Sequence, residues 1–90
     1  MAKRFQWSDR KNAWLRKNRG ISFEEVSEAI AYKLLDVRMN KSSQHCGQKI
    51  FIVDIENYPW VVPFHETKEK IFLITAFQDR KLKEEFGYEG

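Results

Sequence analysis

The C-terminal half of the chain contains three runs of alternating apolar residues, at residues 48–56, 58–65 and 70–77. Alternation with a period of two places successive side chains on opposite faces of a strand. Only short polar segments separate the runs, and short connections of this kind join neighbouring antiparallel strands. The pattern therefore predicts an antiparallel meander that carries the basic pair Arg80-Lys81 to the rim of a sheet.

Two helices are predicted before the meander. Ser8 is a suitable N-cap for a helix that continues to about Lys17. Gly20 then favours the positive φ at which helices end. Ser22 begins an S-x-x-E capping box with Glu25, so a second helix is expected to start there.

The fold class follows from the order of these elements. Residues 34–39 have strand-like composition, and the chain after residue 79 predicts a short helix. Pro63 cannot donate to a strand ladder, so we expect a bulge or an unpaired side there. The chain is predicted to be a single domain, residues 1–90, of class α+β. It has two N-terminal helices, a four-stranded and mainly antiparallel sheet, and a short C-terminal helix.

Composition favours a compact protein in a reducing compartment. Apolar residues make up 42% of the chain, and Cys46 is its single cysteine, so no internal disulfide is possible. No apolar run approaches the roughly 20 residues that span a bilayer, and no hydrophobic segment follows the basic start. We therefore expect a cytoplasmic protein with no membrane association.

Several kinds of site are not expected. The chain has no glycine-rich phosphate loop, so no nucleotide cofactor is predicted. His45-Cys46 lacks a second ligand pair at usable spacing, and no metal site is predicted. A nucleophilic pair of Cys46 with His65 is chemically reasonable, but nothing in the local sequence positions it, and an exposed cysteine in the loop 40–47 is the favoured interpretation.

Metal-free RNA cleavage needs a group that moves protons and cations that face the phosphate. Histidine exchanges protons near neutral pH, so the predicted catalytic residues are Lys49, His65 and Arg80. Four further cations are expected to bind RNA: Lys11, Arg38, Lys70 and Lys81. Each residue also has a structural interpretation, since lysines flank strands and Arg80 can pair with Glu84. The functional interpretation depends on convergence of these side chains in the fold.

Three stretches of the chain resemble a known family. They are F-Q-W-S at 5–8, R-G-I-S-F-E-E-V at 19–26, and V-P-F at 62–64 continuing through I-F-L-I-T at 71–75 to Arg80-Lys81. Together they resemble BrnT-like toxins of bacterial type II toxin-antitoxin systems. The resemblance implies a RelE-like α+β fold, growth-arresting ribonuclease activity, and neutralisation by a cognate antitoxin, a small protein that binds DNA for the complex. It also places Lys49 where members often open the second strand with a basic residue, and matches Arg80 to an arginine after the last strand.

The chain departs from the family pattern at two places. Many members have S-A-R at the end of the last strand, where this chain has Thr75-Ala76-Phe77. The K-H-G before the second helix is replaced by K-N-R-G at 17–20. Two alternatives therefore stay open. One is a noncatalytic prophage or operon protein that holds a protein partner or nucleic acid. The other is nucleic-acid binding through residues 1–20, which carry seven basic residues and one acid.

Overall fold

Alternating apolar residues build one mixed sheet, and the three helices pack on its two faces. The computed structural model describes residues 4–39 and 49–88. Within these ranges the elements are β1 Arg4–Trp7, α1 Asp9–Asn18, α2 Phe23–Tyr32, β2 Leu34–Met39, β3 Lys49–Ile55, β4 Tyr58–Glu66, β5 Lys70–Leu73, β6 Phe77–Gln78 and α3 Arg80–Glu85. No helix within these ranges has the length and the apolar composition needed to cross a bilayer.

The strand order is β1-β5-β4-β3-β2, and the short β6 pairs with β4 beyond β5. β1 is parallel to β5, whereas the other pairs are antiparallel. Glu56 and Asn57 both have positive φ, as the tight turn between β3 and β4 requires. β1 and β2 are therefore the two edge strands of the sheet.

One face of the sheet, the α1/α2 face, carries the main core. Leu15 of α1 and Phe23, Val26 and Ile30 of α2 are buried against it. The sheet contributes the alternate residues of its central strands, namely Phe51, Val53, Ile55, Trp60, Val62, Phe64 and Leu73. Burial of each large side chain contributes about 1.5–3 kcal/mol, so this cluster provides most of the apolar stabilisation.

The other face, the α3 face, is only partly covered. Leu82 of α3 packs on Ile52 and Val61, and Phe86 packs against the same cluster. Because α3 has only six residues, it covers a limited part of this face. The remainder, around β1, β5 and the end of β4, has no helix packed on it in the described part of the chain.

The predicted helix boundaries are confirmed. Ser8 Oγ accepts a hydrogen bond from Lys11 N, and Ser22 Oγ accepts one from Glu25 N. Gly20 has a φ of 70°, a conformation that residues with a side chain rarely adopt. Local capping chemistry was therefore sufficient to place α1 and α2.

The α+β class is confirmed, but the sheet differs in detail from the prediction. The described residues form six strands rather than four. β1 precedes α1, and the predicted strand 70–77 is split into β5 and β6. The split lies opposite Pro63, which has no N–H to donate and accepts a bond from Ile74 N at 3.0 Å. The predicted loop at 40–47 lies outside the described residues.

Candidate functional site

The uncovered part of the α3 face carries an open patch of polar and basic side chains. We define the open patch as Arg4, Gln6, His65, Lys70 and Phe72. Strand alternation places these residues there, because their neighbours Phe5, Trp7, Ile71 and Leu73 all face the α1/α2 core. Phe72 is half-buried and the other four residues of the patch are exposed.

Strand pairing brings the five residues together. Arg4 lies opposite Lys70, and Gln6 lies opposite Phe72. Phe72 in turn lies opposite His65 on the neighbouring strand. Directly opposite residues are about 5 Å apart and diagonal neighbours about 7–8 Å, so Lys70 lies within side-chain reach of His65. A histidine, two cations and an aromatic ring therefore share one surface.

Arg38 lies on the same face but is held by two carboxylates. Its Nε donates to Asp36 Oδ2 at 2.8 Å, and its Nη1 donates to Glu85 Oε1 at 3.1 Å. The guanidinium also lies 5.5 Å from the centre of the Phe86 ring. Arg38, with the Val37 N–H, holds the pKa of Asp36 below its ordinary value. Arg38 thus anchors α3 to β2, at the opposite edge of the sheet from β1.

Lys81 is exposed on α3, one turn before Glu85 and on the same side of the helix. Because Glu85 contacts Arg38, this side of α3 faces the part of the sheet that carries Arg38. That part of the sheet is the edge strand β2, whereas the open patch lies around β1 and β5 at the other edge. Of the four predicted RNA-binding residues, Lys70 lies in the open patch, Arg38 lies on the same face at the opposite edge of the sheet, and Lys81 lies on α3.

Lys11, the fourth, lies elsewhere. It is on α1, which packs on the opposite face of the sheet, and its Nζ lies 4.0 Å from the centre of the Trp14 ring. Arg19 lies over the same ring at 4.8 Å. Lys11 thus belongs to a surface separate from the open patch, where two cations stack on the ring of Trp14.

Lys49 also lies on the α1/α2 side of the sheet. It is opposite Phe64, whose ring is in the main core, whereas the next residue, His65, points to the other face. Lys49 Nζ forms an ion pair with Glu66 Oε1 at 3.3 Å. The structure therefore separates Lys49 from His65 by the thickness of the sheet.

Arg80 lies at the far end of the sheet from Lys49. Gln78 pairs with Trp60, so Arg80 is level with Tyr58, six residues along β4 from Phe64. At about 3.3 Å per residue, Arg80 and Lys49 are roughly 20 Å apart along the strands. The three predicted catalytic residues do not converge in this structure.

Arg80 instead lines a cleft of about 550 Å³ with Tyr58, Lys83, Glu84 and Tyr88. Lys83 Nζ lies 5.0 Å from the centre of the Tyr58 ring. Burial raises the pKa of Tyr88 to about 12, and its interaction with the Asp54 carboxylate adds to this effect. Tyr88 therefore stays a neutral hydrogen-bond donor at this end of the sheet.

Gln6 and Phe72 of the open patch were missed as functional candidates, and Arg4 was considered only as part of the basic segment 1–20. The alternation of Arg4-Phe5-Gln6-Trp7 is typical of a strand. Four residues directly before a helix cap can equally be an irregular segment that precedes the helix. The parallel pairing of β1 with β5 joins segments more than 60 residues apart. No local sequence pattern indicates a pairing over that distance.

Within residues 4–39 and 49–88, no three His, Cys, Asp or Glu side chains are gathered in a way that could hold a metal ion. His45 and Cys46 lie outside the described residues. In comparisons with known proteins, no family model, no curated protein and no solved structure matches the chain.

Proposed function

We propose that this protein is the toxin of a bacterial type II toxin-antitoxin system, a metal-independent endoribonuclease that acts on mRNA in the cytoplasm. The observation that carries the proposal is the open patch. There His65 lies opposite Phe72 and diagonal to Lys70, and Arg4 lies opposite Lys70 on β1. The resemblance of three sequence stretches to BrnT-like toxins supports the same function.

The open patch suits single-stranded RNA. Phe72 offers an aromatic ring on which an unpaired base can stack, an interaction that contributes about 1–3 kcal/mol. Arg4 and Lys70 are exposed cations that face each other two residues along the strands from Phe72, where they are placed to contact a phosphate next to that base. Splayed single strands are the form of RNA in which bases are free to stack on protein side chains.

Cleavage on this surface uses the 2′-hydroxyl of the RNA as the nucleophile. Neutral His65 accepts the 2′-hydroxyl proton while the 2′-oxygen forms a bond to phosphorus. The bond from phosphorus to the 5′-oxygen breaks, and the imidazolium returns the proton to that leaving oxygen. Arg4 and Lys70 stabilise the negative charge on the phosphoryl oxygens. The products are a 2′,3′-cyclic phosphate and a 5′-hydroxyl.

The proposed protein partner is a cognate antitoxin, and contact with DNA occurs only through it. An antitoxin segment with acidic side chains would occupy Arg4 and Lys70 and so exclude the RNA phosphates. Exposed apolar side chains at Ile74 and Phe77, each 37% exposed, offer it further area to cover. Neutralisation is thus proposed to act by competition for the open patch.

A noncatalytic binding protein is the second candidate, favoured by the positions of the other predicted residues. Lys49 is paired with Glu66 on the opposite face, and Arg80 is roughly 20 Å along the sheet from Lys49. Phe77 also stands where BrnT-like toxins, which the chain resembles, often carry an arginine. On this hypothesis the open patch holds RNA, and no bond in the RNA is broken.

One experiment separates the two candidates. The purified protein is incubated with a single-stranded RNA in excess chelator, and with the same sequence carrying 2′-deoxy sugars. We expect cleavage of the RNA to cyclic phosphate ends and no cleavage of the deoxy control. Binding of both strands with the RNA left intact would reject the ribonuclease and support the noncatalytic candidate.

A further inference from the structure

The free edge of β2 carries an apolar stripe. β2 is the last strand in the sheet order, and among the described residues it pairs only with β3. Leu34, Val37 and Met39 are 42%, 46% and 54% exposed, and their pairing partners place them on the α1/α2 side. A row of exposed apolar residues on an unpaired edge strand marks a surface that associates with another chain.

The backbone of Val37 points to that free edge. Its N–H donates to the side chain of the preceding residue, Asp36 Oδ1, at 2.8 Å, and so is not used in the ladder with β3. In antiparallel pairs, alternate residues direct both their N–H and C=O to the same side. Val37 is therefore placed to exchange two backbone hydrogen bonds with an added strand.

The charges on β2 are complementary to those of a second β2 strand in antiparallel orientation. If two copies pair with Val37 opposite Val37, then Asp36 of each copy lies opposite Arg38 of the other. Opposite charges at directly facing positions stabilise strand pairs, and like charges destabilise them. The Arg38 guanidinium has five N–H donors, of which its bonds to Asp36 and Glu85 use three. Donors therefore remain for a second carboxylate.

We propose that two copies of this chain pair through β2, antiparallel and centred on Val37, to form a two-fold symmetric dimer with one continuous sheet. Val37 N–H exchanges the Asp36 oxygen for a carbonyl of the second copy, and the apolar stripes of the two copies meet. The interface is small, so association is expected at micromolar concentrations. Facing residues of an antiparallel pair share a face, so both open patches lie on the same side of the dimer.

Charge reversal tests this register by sedimentation equilibrium over about 1 to 200 µM. The natural chain is expected to show a monomer-dimer equilibrium. Asp36→Arg alone and Arg38→Asp alone place like charges opposite each other twice, so each variant is expected to stay monomeric. An equimolar mixture of the two variants restores both opposite-charge pairs and is expected to form a heterodimer.

Two further variants serve as controls for this experiment. Val37→Lys places two lysines face to face at the centre without touching the contacts of Arg38 with α3, and it is expected to be monomeric even if Arg38→Asp does not fold. Tyr32→Arg changes a residue that is 82% exposed outside β2, and it is expected to dimerise like the natural chain. A natural chain that is monomeric throughout, a Val37→Lys variant that still dimerises, or a folded pair of charge variants that stays monomeric when mixed would each overturn the proposal.

Discussion

At the scale of single residues, Asn12 is a polar side chain whose burial requires hydrogen bonds to its amide group. It is a buried polar side chain, 8% exposed, between α1 and α2. Its Oδ1 accepts from Phe23 N and its Nδ2 donates to Glu24 Oε1, each at 2.8 Å. Both polar atoms of the amide are therefore satisfied, and the two helices are joined by one side chain.

This contact leads to a pH-dependent prediction. The hydrogen bond from Asn12, together with the backbone of Glu24 and the nearby Arg16, lowers the pKa of Glu24 below its ordinary value of 4.5. A lowered pKa in the folded state contributes stability that is present above the ordinary value and lost as the pH falls through the folded one. Glu24→Gln removes this contribution. We expect its urea midpoint to fall less than that of the natural chain between pH 7 and pH 3.

Glu28→Gln is the matched control for that comparison. Glu28 is exposed on the same helix. This variant should lose as much stability between the two pH values as the natural chain does. If the urea midpoint of the Glu24→Gln variant fell as far as that of the natural chain between the two pH values, the lowered pKa assigned to Glu24 would be contradicted.

At the scale of elements, α3 depends on a single buried side chain. Leu82 is 7% exposed and packs on Ile52 and Val61. Truncation of a buried leucine to alanine costs about 2–5 kcal/mol, because both transfer energy and packing are lost. Leu82→Ala should lower the free energy of unfolding by at least about 2 kcal/mol in urea titrations. Glu84→Ala, an exposed position on α3, should change it by less than about 0.5 kcal/mol.

Local signals predicted most of these elements. Ser8 and Ser22 carry their own capping bonds. Strand-like composition marked β2, and period-two alternation marked β3 and β4, each to within one residue at either end. A strand only two residues long, such as β6, has no period to detect. β1 depends on a parallel pairing with β5, which is a property of the assembled sheet.

The site was harder to predict than the elements, and the reason is strand parity. Lys49 and His65 both lie at strand ends, which suggested that they converge. Lys49 is opposite Phe64, so His65, one residue further along, has to point to the other face. A difference of one residue in register thus separates two predicted partners. Arg80 begins α3 directly after β6, at the opposite end of the strands from Lys49.

At the scale of the whole molecule, basic side chains of the described residues lie on separate surfaces. α1 carries one set, which includes Lys11 and Lys17, and the open patch carries another with Arg4 and Lys70. RNA affinity should fall with added salt, since each phosphate contact on a single strand contributes about 0.7 to the logarithmic slope.

Lys70→Ala is predicted to reduce that slope by about 0.7, measured with an RNA whose 2′-hydroxyls are methylated to prevent cleavage. Lys17→Ala, on α1, should leave the slope unchanged. The reverse result would place the RNA on the N-terminal basic segment instead of the open patch.

The most direct test of the central claim compares two predicted catalytic residues that the sheet separates. Single-turnover cleavage of a single-stranded RNA in chelator is measured for the natural chain, for His65→Ala and for Lys49→Ala. Because His65 lies in the open patch and is the proposed proton carrier, its loss should slow cleavage by at least about 100-fold. Lys49 lies on the other face, so its loss should change the rate by less than about threefold. Equal loss of activity in both variants, or full activity of His65→Ala, would contradict a ribonuclease site on the open patch.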